Sequence, residues 1–573
     1  MSLQQINYTQ IRGGTVNIMD LGASPSASAS VNTTAITNAI SQISATGGKI
    51  VIPRGSYALN PFTIASANVV IEGESTGSSI LTFATVGSNT NAISITADNV
   101  AIVGIKLVGP SVAAYVAGEN AIQTNGTFAA NRSGLTVSSC EIYNFGSYGV
   151  NAEYTNNITI SNNYIHNVGY GGVFFRSCIT GWIENNRISD ITPGTSANMY
   201  GITLSHTSTP APTSKTSSTH FCYGINVTGN EIQNIAWEGI DAHGGYELIV
   251  NDNKIYNTQK GIAISSSSGD SSNYAGWQNI ISNNIVDARK KDGTTGDYMH
   301  LGYGINTNGF STLNVQNQDK VIVSGNIIFG KGIVDSTNGG SIQAEGVYNA
   351  IISNNCIDSW AGVGIVLGNE TTALVEGNIF GDCYANDAGD SVKRCVEWRA
   401  GAGELLLTNN AHYANGGQTA RYGFYSIVAA VISIDGTNLA LKTSGNSFNE
   451  CSVAQMYWSG SAISTDVGTA YFYPQLTASL TTIDVSKITS STAYVYLTAD
   501  APRTVTAITG SSIPGQIIVF VNDSTNAITI SRSYAFLSGS ANQTLTDRRD
   551  TIALISGTDN TSWTQISPTL ANG

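Results

Sequence analysis

A short phrase built around an Asn, followed some residues later by a Gly-apolar pair, recurs through the middle of this chain. Its clearest copies are Ile158-Thr-Ile-Ser-Asn-Asn163-Tyr-Ile, Ile225-Asn-Val-Thr-Gly-Asn230-Glu-Ile, Leu248-Ile-Val-Asn-Asp-Asn253-Lys-Ile and Ala350-Ile-Ile-Ser-Asn-Asn355-Cys-Ile. Asn163 and Asn186, Asn230 and Asn253, and Asn355 and Asn378 each stand 23 residues apart. A unit of that length holds two or three short strands and cannot bury its own inner face, so it must stack on copies of itself, which is the physics of a parallel β-helix. A fixed inner register fixes the outer one, and outward side chains of successive coils fall into columns.

Composition agrees: 11% of the residues are charged and 61 of 573 are Gly, as many short strands and tight turns require. No run of eighteen apolar residues and no basic-then-apolar leader follows Met1, so neither a membrane span nor a secretory signal is expected. Seven scattered Cys (140, 178, 222, 356, 383, 395 and 451) without a CxxC predict buried reduced thiols, and hence folding in a reducing cytoplasm. A net charge of −13 argues against nucleic acid as a ligand. An acidic polysaccharide stays possible where a groove is locally basic.

Near the N-terminus, Val16-Asn-Ile-Met-Asp-Leu-Gly22-Ala precedes a segment with Ile36, Ile40 and Ile43 on one helical face, then Gly47-Gly48-Lys-Ile-Val-Ile-Pro53-Arg-Gly55-Ser-Tyr57. The spacing predicts a strand, a short amphipathic helix and a second strand, the helix closing the open end of the coil stack. This wording resembles the start of pectate-lyase-like β-helices, and especially of bacteriophage tailspikes that depolymerise capsule or O-antigen. It departs from that family at Ser24-Pro-Ser-Ala-Ser-Ala-Ser30, where an acidic, Gly-containing turn is usual. The resemblance implies an all-β fold: a right-handed single-stranded parallel β-helix with an N-terminal capping helix. It also implies a homotrimer, a bacterial surface polysaccharide as partner, and a place on the virion tail. Residues 1–14 are then an arm suited to a phage tail adaptor or baseplate protein.

The expected organisation places the β-helix at 15–465, a Ser/Thr-rich junction at 466–490 and a C-terminal β-sandwich at 491–573. Period-two alternation in Tyr494-Val-Tyr-Leu, Gln516-Ile-Ile-Val-Phe-Val and Thr551-Ile-Ala-Leu-Ile predicts antiparallel strands there. The segment from Pro514 with Trp563 resembles C-terminal β-domains of phage fibres and spikes, which serve trimerisation or carbohydrate contact.

Aligning the Gly-apolar pairs defines the columns. The first outward column is Asn151, Phe174, Thr203, Asp241, Ala263 and Asn306. The second is Glu153, Arg176, Ser205, His243, Ser265 and Asn308. The residue before each Gly adds Tyr148, Tyr200, Glu238, Lys260, Tyr303 and Glu345, with Tyr170 and Trp237 one earlier. Aromatics beside carboxylates on a shallow face suit a sugar groove, because pyranose C–H faces stack on rings while hydroxyls pair with polar tips. Trp237-Glu238-Gly239-Ile240-Asp241-Ala-His243 stands out. Three residues of strand bring Glu238 and Asp241 to the separation used by inverting glycosidases, provided a turn at Gly239 resets the alternation that would otherwise place them on opposite faces. O-antigen-cleaving tailspikes use such pairs, which implies a general acid and a water-activating base here. Trp237, His243, Arg176, Tyr200, Glu153, His206 and Lys260 are the candidate substrate-binding residues, and Glu345 with Asp335 is the second-choice acid pair. Extra residues at 285–303 and 206–220 are expected to form walls beside the groove.

Other readings stay open. The acids could be solvated residues at a coil turn. A lyase acting by β-elimination could draw on Arg176, Lys260, His243 and Tyr200, and a fibre or adhesin could bind sugars without cleaving them. No column carries the Asp triad of calcium-dependent pectate lyases, so no metal ligands and no cofactor are expected.

Overall fold

The computed structural model describes residues 14–566 except 111–114, 192–197, 207–220, 266–275, 294–302, 308–318, 331–339, 348, 369–372, 385–392, 400–403, 414–421, 427–439, 445, 447–453, 459–469, 473–474, 477–480, 485–491, 510–515, 533–541 and 558–562. The arm before Gly14, Asp335, Asn308 and Cys451, and most of the junction, lie outside the described residues. The chain divides into two compact units, Met1–Asp335 and Ser336–Gly573.

In the first unit a strand at Gly14–Asn17 leads to a helix at Ala29–Gln42, whose N-cap Ser28 accepts a hydrogen bond from the Val31 amide. Ile36 and Ile40 of the helix, and Ile43 just past it, are buried. The helix packs on the strands Gly55–Leu59 and Phe62–Ile64, closing the first coil as expected. Beyond it the coils rise in parallel register, for example Thr159↔Trp182↔Asn226↔Ile249↔Ile280↔Ile322 and Ile142↔Ile165↔Ile188↔Ile232↔Ile255↔Val286↔Ile328. The second chain is a buried aliphatic stack, the core of the coil.

The repeated Asn is the corner post. Its side chain is buried, and its Oδ1 accepts two hydrogen bonds from the Asn one coil below, from the backbone amide and from Nδ2. These run Asn163 to Asn186 (3.0 and 2.9 Å), Asn186 to Asn230 (3.0 and 3.0 Å), Asn230 to Asn253 (3.0 and 2.9 Å), Asn253 to Asn284 (3.0 and 3.0 Å) and Asn284 to Asn326 (2.9 and 3.0 Å). The residue before each post turns the chain in the left-handed region, at φ 56° for Asn162, 54° for Asn185, 66° for Gly229 and 56° for Asp252. Asn, Asp and Gly tolerate that conformation, which explains the doublet in the repeat.

In the second unit the same post runs through Asn355, Asn378, Asn410 and Asn446. Its coil strands Gly340–Glu345, Val363–Gly368, Arg394–Trp398, Tyr422–Ser426 and Ala454–Trp458 pair in parallel. The C-terminal strands differ from the purely antiparallel expectation. Thr492–Ala499 pairs in parallel with Ile517–Asn522, and Arg503–Val505 with Ile528–Ile530. Among the described strands of this part the last ones reverse: Thr551–Ser556 and Trp563–Gln565, with Gln543–Leu545, run antiparallel to their neighbours. Period-two alternation reports one buried face and is blind to strand direction. The informative quantity was the offset of 25 residues in the pairs 492/517, 503/528 and 482/507, which is again a coil length. Ile518, Phe520, Leu497, Leu554 and Trp563 form this part's core.

Six of the seven Cys are free thiols, five of them buried, as the scattered spacing predicts. Among the described residues no helix is long and apolar enough to cross a membrane.

The post carries a testable cost. Asn230→Ala removes the acceptor of the buried Asn186 amide and the donor to the Ile183 carbonyl. With roughly 1–3 kcal/mol for each buried group left unpaired, unfolding in denaturant should accelerate by at least about tenfold. Asn226→Ala, on the outer face of the same coil, should change the rate little. Equal rates for the two variants would contradict the structural role of the post.

Candidate active site

A second line of small residues creates the surface on which the acids stand. A Cβ built on Gly149 would lie 2.8 Å from the Gly172 carbonyl oxygen; on Gly172, 2.7 Å from that of Gly201; on Gly201, 2.4 Å from that of Gly239; and on Gly239, 2.7 Å from that of Gly261. No side chain fits along this ladder. The Gly239 position also points at the Ile255 side chain, 2.7 Å away, and the next residue, Ile240, is fully buried. Positions 239 and 240 therefore both face inward, which a straight strand cannot do, and the pairing with the next coil shifts register between Ile235 and Glu238. The alternation is reset as the sequence required, and Glu238 and Asp241 share the outer side.

The columns pair as the alignment of Gly residues predicts: Asn151↔Phe174↔Thr203↔Asp241↔Ala263↔Asn306, and Tyr200↔Glu238↔Lys260↔Tyr303. They are not an exposed shelf, however. Glu238 and Asp241 are 5% and 1% exposed, and Tyr200, Phe174 and Thr203 are also buried, which removes the reading of solvated acids at a coil turn. The cations beside them reach further out, His243 to 38% side-chain exposure and Lys260 to 19%.

Each acid has its own partner. Lys260 Nζ donates to Glu238 Oε1 at 2.7 Å and also lies 4.4 Å above the Trp237 ring, so Trp237, Glu238 and Lys260 form one cluster. His243 Nε2 lies 3.1 Å from Asp241 Oδ2, an ion-pair approach rather than an aligned hydrogen bond. Burial, followed by the charge of Asp241, pushes the Glu238 carboxyl up to about 7, although Lys260 pulls the other way. The same Asp241 charge raises the His243 imidazole to about 9, against the effect of its own burial. Burial, then Asp241 and Glu238, drive the Tyr200 hydroxyl upward; burial, then Tyr170, do so for Tyr148. Near neutral pH the site thus offers a carboxyl able to give a proton beside a second acid backed by a cationic imidazole. That division of labour is what general acid and general base catalysis require.

An aromatic run adjoins the acids. Tyr148 stacks on Phe174 (4.7 Å between centroids) and meets Tyr170 edge-on (5.4 Å), while Tyr170 approaches Tyr200 (5.7 Å) and Tyr115 (4.9 Å). Sequence reasoning placed Tyr148, Tyr170 and Phe174 in or beside columns but missed Tyr115, which belongs to no coil phrase.

The remaining candidates divide. Arg176 lies with its guanidinium 4.9 Å over the Phe174 ring and 3.9 Å from Glu153 Oε1, so these two form a pair at the aromatic end of the site. His206 packs edge-on against Phe221 at 6.2 Å. Glu345 belongs to the second unit, where Gln343 donates to it and Arg399 Nη1 lies 3.5 Å away; Arg399 also reaches Glu397, itself paired with Arg394 at 2.6 Å. In the 285–303 insertion, Arg289 pairs with Asp287 at 2.7 Å and Lys291 with Glu231, whereas Asp297 and His300 lie outside the described residues, as does the 207–220 segment.

Residues 91–286 match the family model described as "Right handed beta helix region". No curated protein matches the chain by sequence. Among solved structures, the chain is similar to the catalytic unit of a GH87 α-1,3-glucanase from Streptomyces thermodiastaticus, with 17% identity and TM-score 0.46 over 78% of this chain and 70% of that one. It is also similar to the Dettilon tailspike protein (13% identity, TM-score 0.39, 77% and 68% covered). A third is the Streptococcus pneumoniae surface protein and adhesin PfbA (12% identity, TM-score 0.46, 70% and 98% covered). The chemistry rests on the site itself.

Proposed function

We propose that this protein is a tailspike-type depolymerase that binds a bacterial capsular or O-antigen polysaccharide and hydrolyses it within the chain. The observation that carries this reading is the buried acid pair, Glu238 held by Lys260 and Asp241 by His243, next to a run of aromatic rings. In this mechanism the rings of Tyr170 and Trp237, which are half-buried, stack on pyranose faces. Glu238 protonates the departing glycosidic oxygen, and Asp241, oriented by His243, takes a proton from the attacking water. The sugar–oxygen bond breaks as the water–sugar bond forms, and each product carries a complete valence: one a new reducing end, the other a free hydroxyl.

Elimination is less well supported. Its candidate bases are Tyr200 and His243; burial and then the acid pair keep the Tyr200 hydroxyl protonated, and the charge of Asp241 keeps the His243 imidazole protonated against the effect of its own burial. A base that must take a C5 proton has to be empty. In the reading advanced here the chain acts as a homotrimer on a virion tail, attached through an adaptor.

Glu238→Gln and Asp241→Asn should each cut the release of reducing ends from the cleaved polysaccharide by about 10²–10⁴-fold, the usual contribution of a proton-transferring group. Oligosaccharide binding should survive in both, and Trp237→Ala should weaken binding instead. Unsaturated-uronate absorbance in the products would replace hydrolysis by elimination, and binding without any cleavage would leave an adhesin.

The pH dependence follows with a definite sign. Glu238 must carry its proton to act as an acid, so kcat/KM should fall as pH rises through about 7. Lys260 lowers that value, so Lys260→Met should move the alkaline limb to higher pH whatever it does to the maximal rate. An unmoved limb would assign it to another group.

Light scattering should give about three times 59.9 kDa for the intact chain. A monomer at micromolar concentration would contradict the assembly.

A further inference from the structure

The cations and the acids of the candidate site stand at different depths. The Asp241 and Glu238 side chains are 2% and 6% exposed, whereas those of Arg176 and His243 are 40% and 38% exposed. In a chain of net charge −13, this face therefore turns cations toward solvent and holds its two central acids beneath them. Arg176, Ser205 and His243 follow one another in a single outward column. Arg176 pairs with Ser205, and the register that sets Leu204 against Ala242 puts His243 on the next rung. At about 4.8 Å per rung, the guanidinium and the imidazole spring from backbone positions roughly 10 Å apart, with only the short Ser205 side chain between them in the column.

The Arg176 guanidinium is oriented but not committed. It lies 4.9 Å over the Phe174 ring and 3.9 Å from Glu153 Oε1, which is too far for a hydrogen bond, and among the described residues its N–H groups donate to no acceptor. Arg289 shows the opposite case, with Nε and Nη2 donating to Asp287 at 2.9 and 2.7 Å. His243 turns Nε2 toward Asp241, whose charge keeps the imidazole protonated near neutral pH, so its second ring nitrogen is a donor as well. Neither a guanidinium nor an imidazolium can accept a hydrogen bond. A sugar hydroxyl uses only half of its capacity on such a pair, whereas an oxyanion accepts from both and meets the fork of the guanidinium with two oxygens.

We infer that the substrate is an acidic polysaccharide, and that Arg176 and His243, across Ser205, receive an oxyanion borne by one of its sugars, a uronate carboxylate or a phosphate. This rests on the hydrolase of the proposed function and adds the substrate class and the residues that select it. Both cations stand within two rungs of Asp241, so the charged sugar is one that flanks the cleaved bond.

The test measures binding and reducing-end release by the intact chain on a panel of purified capsular and O-antigen polysaccharides of known repeat unit, acidic and neutral. The polymer that binds should carry carboxylates or phosphates, and its affinity should fall as salt rises. Reducing its carboxyls to alcohols with carbodiimide and borohydride, or stripping its phosphate substituents with hydrofluoric acid, tells the two oxyanions apart. The treatment that removes the bound group should weaken binding by about 10–100-fold, Arg176→Gln should do the same on the untreated polymer, and the two losses should not add. A neutral polymer bound and cleaved as well would overturn the oxyanion site and leave the hydrolase standing, as would an acidic polymer held equally well by Arg176→Gln. An acidic polymer bound with the expected losses but never cleaved would overturn the hydrolase and leave the site standing. If no polymer of the panel binds, both fall. Should Arg176→Gln misfold, the treated and untreated polymers on the unsubstituted chain decide alone.

Discussion

The buried Asn post holds each coil at a fixed height above the next, and everything else in the molecule inherits that spacing. A single amide side chain such as that of Asn230 serves two corners at once: its Nδ2 donates to the Thr228 carbonyl of its own coil and to the Ile183 carbonyl of the preceding one, and its Oδ1 accepts from Asn186 of that preceding coil. Buried amides are costly when unpaired, so a slip of one residue would strand several at once. That penalty, repeated from Asn163 to Asn326, is what makes the outer columns straight enough to bring residues from coils far apart in sequence into one site. Lys260 meets Glu238 because their rungs are adjacent, not because they are close in the chain.

The Gly ladder adds the second requirement. By placing two consecutive positions inward, it puts Glu238 and Asp241 on the same side, one residue before and two residues after the bend. Burial then acts on both. Burial and, after it, the charge of Asp241 push the Glu238 carboxyl upward, against the pull of Lys260. The cations sit outside the acids and remain partly in water, where they can meet a ligand.

Much of this was legible in the sequence, for identifiable reasons. The Asn phrase and the Gly-apolar pair mark the two corners of the coil, and aligning on them gave the column Asn151, Phe174, Thr203, Asp241, Ala263 and Asn306 in the register found. Burial of the acids was not legible, because it depends on what surrounds the columns in three dimensions and not on position within a coil. Tyr115 escaped for the same reason: it reaches Tyr170 from outside the repeat. The C-terminal strands were assigned a direction that alternation cannot encode, while the 25-residue offset between Thr492 and Ile517 carried it. His206 packs edge-on against Phe221, a contact that its position in the sequence does not encode.

The proposed chemistry depends on Glu238 holding its proton close to neutral pH. Difference infrared spectroscopy between the intact protein and Glu238→Gln observes that carboxyl directly, free of turnover and of any choice of substrate. The account predicts a protonated carbonyl band at pH 6 that gives way to carboxylate bands as pH rises through about 7. Carboxylate bands already complete at pH 6 would contradict it, and Glu238 could not then be the proton donor.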